Sequence, residues 1–163
     1  MANNYWLFKS EPTAYSYQNL LSDEVAEWDG VRNFQARNFL RDDVKSGDSV
    51  LFYHSNTKPP SVIGTAIVVR NGYPDHTAWD PNSEHPDPKS SPENPIWYMV
   101  DISPVQQLPN PVSLDDIKSN PALSDMLLIR RGMRLSVQPV TKEQYEIIYD
   151  MGSNPENASE VNS

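Results

Sequence analysis

Residues Ser49–Arg70, SVLFYHSNTKPPSVIGTAIVVR, decide the fold. Both ends of this stretch are rich in β-branched and aromatic residues, so Ser49–His54 and Val62–Arg70 read as strands. The connection Ser55–Pro60 is too long for a two-residue hairpin and carries two prolines, which makes it an exposed loop. Gly64, inside the second strand, signals a bulge or a close approach of another group. Two neighbouring strands with such an irregularity predict the centre of a curved sheet or small barrel.

Working outward, Tyr5–Lys9 reads as a strand closed by Ser10-Glu11-Pro12, Ile96–Ile102 as another, and Arg134–Val140 as a last short one, with Pro104–Pro111 a proline-punctuated exit from the second. Ser16 is placed to cap a short helix over Tyr17–Leu21, and Asn33 a longer one. Along that second helix Phe34, Ala36, Phe39 and Leu40 offer an apolar edge, while Arg37 and Arg41, four apart, share a polar one. Ser113-Leu-Asp-Asp116 and Thr141-Lys-Glu-Gln144 have capping-box spacing, opening helices over Leu114–Lys118 and through Tyr149, the latter ended by Gly152. The segment Asn71–Pro95 is a long polar loop, the kind that serves as a lid or binding loop. The expected fold is α+β, a bent β-barrel of about five to six strands flanked by short helices. One domain is expected over residues 1–152, with a disordered tail over 153–163.

Composition narrows the chemistry. There is no cysteine, so disulfides, thiolate metal sites and a Cys nucleophile are excluded and a reducing cytosol suits the chain. No apolar run approaches the roughly 18 residues that span a bilayer, and MANNYWLF lacks the basic and apolar regions of a signal peptide. A soluble, cytoplasmic protein without a membrane partner is expected, as a monomer. A formal charge of −9 opposes a surface that coats phosphates non-specifically, so any nucleic-acid role needs a local basic patch. Arg32, Arg37 and Arg41, and Arg130, Arg131 and Arg134, are the two arginine groups available for one.

Catalytic signatures are missing: there is no nucleophile elbow, no Gly-rich phosphate loop and no dinucleotide fingerprint. His76, Asp80, Glu84, His85 and Asp87 could gather around a metal, but their spacing matches no familiar site, and no metal or cofactor is expected. Four Trp and eight Tyr give a better lead, because flat side chains with a few polar groups make a slot for a planar base. Stacking contributes about 1–3 kcal/mol per base. Trp28, Tyr53, Trp79 and Trp97 all fall at or next to predicted loops or strand edges. Two other readings stay open, an enzyme acting on a nucleotide or small molecule with His54 and Glu11 as acid and base, and an interaction scaffold.

YWLFKSEP at 5–12, WDGVRNFQARNFLR at 28–41, GDSVLFYHSN at 47–56, Tyr73-Pro-Asp75, the Asp87–Ser90 run and RLSVQPVT at 134–141 together resemble the EVE domain family, in order and over about residues 4–150. The resemblance implies a PUA-like fold, in a superfamily that is similar to the YTH readers of methylated adenine. It also implies a non-catalytic module that binds DNA or RNA carrying a modified base, a modified cytosine among them. The pocket it implies lies between Lys9-Ser10-Glu11, the Trp28–Asn38 segment and the Tyr53-His54-Ser55 strand end. Trp28 would stack on the base, Asn33, Ser10 and Glu11 would read its polar edge, and Tyr73 or Trp79 would close the cage. Arg32, Arg37 and Arg134 would hold flanking phosphates.

Overall fold

The computed structural model describes residues 3–153, so the disordered tail expected over 153–163 lies outside the described residues except for Ser153. The strands are β1 (Tyr5–Ser10), β2 (Ala26–Glu27), β3 (Ser49–His54), β4 (Ser61–Pro74), β5 (Tyr98–Ser113) and β6 (Val137–Val140). The helices are α1 (Tyr17–Asp23), α2 (Phe34–Asn38), α3 (Leu114–Lys118) and α4 (Lys142–Ser153). The fold is α+β, with one six-stranded sheet in the order β2-β5-β4-β3-β1-β6. The central pair is the one that Ser49–Arg70 predicts. β1 lies parallel to β3, and every other pairing is antiparallel. The edge strands β2 and β6 do not pair with each other, so the sheet is bent but is not a closed barrel.

Bending comes from bulges. Between the pairs Gly64↔Gln107 and Val62↔Val112, β5 advances three residues more than β4, and Pro109 and Pro111 fall in that excess. A proline removes a ladder donor, so it is tolerated where the ladder is already interrupted. The expected exit Pro104–Pro111 is therefore part of β5. β4 likewise runs on to Pro74, four residues beyond the expected end, through further register shifts at Arg70 and Tyr73. Gly64 lies under Tyr17, whose ring would be 2.5 Å from a Cβ at that position. Gly152 does not end α4. It packs inside the helix against Leu108, where a side chain would not fit.

The caps follow the sequence. Ser16 and Ser113 form reciprocal capping boxes, Asn33 accepts from the Ala36 amide at 3.0 Å, and Thr141 and Gln144 exchange bonds of 2.9 and 3.0 Å. α2 then loosens into a π-turn over Phe39–Asp43.

Alternation along β1 and β3 divides the core into two. Trp6, Phe8, Val50 and Phe52 point to one side, with Trp28, Leu40, Val68 and Ile102. Leu7, Leu51 and Tyr53 point the other way, against α3, α4 and the two short turns after α3, among Ile117, Leu123 and Ile148. Both faces of the central strands are thus covered, which is why they read as nearly continuous apolar runs.

Candidate nucleic-acid interface

A cleft of about 810 Å³ opens where β1 ends, bounded by the α1–β2 corner, the turn after β2 and the loop over 77–85. Trp28 is one of the residues that line it. It is only 8% exposed and is braced by Phe8 (centroids 5.3 Å), Phe52 (5.5 Å, edge-on) and Tyr15 (6.3 Å, edge-on). Tyr15 reaches across to Asp23, its hydroxyl donating at 2.8 Å, and burial together with that carboxylate raises its pKa.

The turn after β2 is pinned to the loop by two buried links. Asp75, fully buried, accepts from the Gly30 amide (2.9 Å), from Arg32 Nη1 (3.0 Å) and from the Thr77 amide (2.9 Å). Burial pushes its pKa up, but the Thr77 hydroxyl, the Gly30 amide and Arg32 outweigh that and hold it below the ordinary value. Arg32 also donates to the His85 carbonyl (2.7 and 3.2 Å). The His85 ring lies flat against Gly30, where a Cβ would come within 2.9 Å; Gly30 has φ +78°, so the position needs glycine twice over. Asp29 is the opposite of Asp75. Burial raises its pKa, and the His85 ring approaches it, with Nε2 3.5 Å from its carboxylate.

Of the residues expected at a site, Lys9, Ser10, Glu11, Trp28 and Arg32 line this cleft. Ser10 donates to the Tyr15 carbonyl at 2.6 Å, Glu11 lies 3.4 Å from Asn56, and Lys9 is half-buried with its pKa lowered by desolvation. Lys9 leaves β1 on the face of Leu7, not of Phe8. Arg32 is already committed to Asp75 and the loop.

The others lie elsewhere. Asn33 spends its side-chain oxygen on the α2 cap. Tyr53 faces away from Trp28 because it neighbours Phe52 in the strand, and it is buried in the second cluster. His54 accepts from the Tyr17 amide at 3.1 Å, and burial lowers its pKa. Tyr73 hydrogen-bonds Asp101 and Glu27 beneath Arg70, and Trp79 is half-buried in the short turn His76–Trp79. Arg37 donates to the Ile96 carbonyl, and Arg134 is exposed two residues before Ser136, which lines the cleft. Tyr15, Asp29, Thr77, Ser83 and His85 line the cleft without having been singled out for it. Of these, only Asp29 carries a signal readable locally, as the first residue of an Asp-Gly turn pair. Among the described residues no three His, Asp or Glu gather as metal ligands, and no helix is long and apolar enough to cross a membrane.

Known proteins are similar to this chain in sequence and in fold. Thymocyte nuclear protein 1 of Rattus norvegicus is 40% identical over 91% of this chain and 74% of its own length. A solved protein from Leishmania major is 45% identical with a TM-score of 0.88, covering 93% of this chain and 95% of its own. The human THYN1 protein in complex with 5-methylcytosine-containing DNA is 37% identical with a TM-score of 0.86, covering 93% and 99%. The EVE domain model matches residues 4–151, and the chain belongs to the EVE domain family.

Proposed function

We propose that this protein is a non-catalytic module that binds nucleic acid carrying a modified base, a 5-modified cytosine, and takes that base into the cleft at the end of β1. The observation that carries the reading is the match to the human THYN1 protein, whose structure holds 5-methylcytosine-containing DNA. On this chain the cleft supports the reading as the place for the base. Its volume falls within the range of about 300–1,000 Å³ typical of small-molecule pockets.

Trp28 and Tyr15 give the base an aromatic wall, with Trp28 held rigid by Phe8 and Phe52. Asp29 offers an acceptor for the exocyclic amino group of cytosine, the pairing a carboxylate makes with that base. A duplex hides this edge and both faces of the base, so the base has to be extruded or unpaired before it enters. A 5-methyl group adds apolar contact worth about 0.8 kcal/mol, so the polar contacts must supply the rest of the discrimination.

The acid–base alternative has little support, since His54 is engaged by the Tyr17 amide and is not among the residues lining the cleft. The test is a titration of single-stranded oligonucleotides, identical except for one 5-methylcytosine, followed by intrinsic Trp fluorescence. Tighter binding of the methylated strand is expected, and equal binding would sink the reading.

A further inference from the structure

We propose that Phe34 and Arg37 form a second nucleotide subsite beside the cleft, which takes the unpaired nucleotide flanking the cleft-bound base. The inference rests on the cleft being a base pocket. Arg32 lines the cleft, and its guanidinium carbon lies 5.5 Å from the Trp97 ring centroid. Trp97 in turn stacks on Phe34 (4.8 Å, 26°), and the Arg37 guanidinium carbon lies 5.1 Å from the Phe34 ring. Two stacked rings thus stand between two cations in one chain of contacts that starts at the cleft.

Phe34 is 59% exposed although it opens a helix whose apolar edge is otherwise directed inward. Its ring is fixed by the stack and so is already placed to receive a base, and guanidinium planes are themselves stacking surfaces for bases.

Charge points the strand this way. The cleft carries Glu11, Asp23, Glu27, Asp29 and Glu84 against Lys9, with Arg32 neutralised by Asp75, and that acidic balance repels phosphate. Arg37 hydrogen-bonds neutral acceptors, the Ile96 carbonyl (2.6 Å) and Asn38 Oδ1 (2.8 Å), and among the described residues no carboxylate lies within ion-pair distance of it, Asp42 acting on it only through space. Three of its five N–H groups remain for a phosphate.

The experiment compares two probes by calorimetry, 5-methyldeoxycytidine and a single-stranded tetranucleotide carrying 5-methylcytosine at an internal position. The expected result is that the tetranucleotide binds more tightly than the nucleoside, and that Phe34→Ala and Phe34→Leu each weaken the tetranucleotide about ten-fold, equivalent to about 1.4 kcal/mol. Nucleoside affinity should stay within about two-fold, and Phe34→Tyr should restore the tetranucleotide. Arg37→Gln should flatten the salt dependence of the tetranucleotide alone. Equal affinity of both probes, or a tetranucleotide indifferent to Phe34→Ala, overturns the subsite while the cleft reading stands. Nucleoside that fails to bind while the tetranucleotide still depends on Phe34 overturns the cleft reading, and leaves Phe34 a stacking site that flanks no cleft-bound base. Failure of both probes overturns both.

Discussion

Asp29 and Asp75 flank the same turn, and burial disfavours the anionic form of each, but only Asp75 is compensated. The consequence for stability has opposite signs. Asp75, with its pKa held below the ordinary 3.8, contributes stability that is present above that value and lost as pH falls below it. Asp29, with its pKa raised by burial, has its anionic form disfavoured relative to the unfolded chain, so its contribution is lost as pH rises. Asp75→Asn should cost about 3–5 kcal/mol at pH 7, because Arg32 is left without its buried partner, and the deficit should narrow below about pH 4. Urea unfolding between pH 3 and 7 measures both. Asp29→Ala should leave the unfolding free energy at pH 7 unchanged or higher, yet weaken a 5-methylcytosine oligonucleotide about ten-fold, since bonds to a charged group are worth about 1.5–3 kcal/mol. Undiminished affinity would remove Asp29 from the reading. Trp28→Ala is a poorer probe of binding, because emptying so buried a position is itself expected to cost about 3–5 kcal/mol.

The elements show which local signals carry a fold and which do not. Caps and central strands were legible because each depends on neighbours in sequence: Ser16, Asn33, Ser113 and Thr141 all cap where their spacing places them. β2 and the far ends of β4 and β5 were not, because two residues or a proline-rich run become a strand only when a partner strand supplies the ladder. Gly72 shows the same dependence. A Cβ there would lie 2.2 Å from the Leu40 carbonyl oxygen, where β4 crosses the π-turn after α2. Gly72→Ala should therefore destabilise by about 1–3 kcal/mol through overpacking against backbone, lowering the melting temperature, whereas Gly132→Ala meets no atom within 4 Å and loses only through its φ of +78°. Equal melting temperatures for Gly72→Ala and the parent would show that the crossing is loose.

For the whole molecule, a charge of −9 sets how nucleic acid is approached. Each phosphate neutralised on a single strand contributes about −0.7 to the slope of log K against log salt. With cationic contact confined to Lys9, the strip beside the cleft and Arg134, a slope no steeper than about −2 is expected, measured by titration across salt concentrations. A steep slope would mean a basic surface elsewhere. Family, caps, central strands and the candidate wall residue Trp28 were legible in the sequence, because motif spacing, turn chemistry and period-two alternation are properties of neighbouring residues. The cleft's membership was decided only in three dimensions. Tyr53 and Trp28 look equally eligible as aromatic residues beside predicted strands, but the alternation of β3 sends Phe52 toward Trp28 and so Tyr53 to the opposite core. Asp75 and His85 reach the turn at Gly30 from 45 and 55 residues away, drawn there by the need to satisfy a buried amide, a buried carboxylate and Arg32 together. Such long-range satisfaction leaves no mark on local sequence.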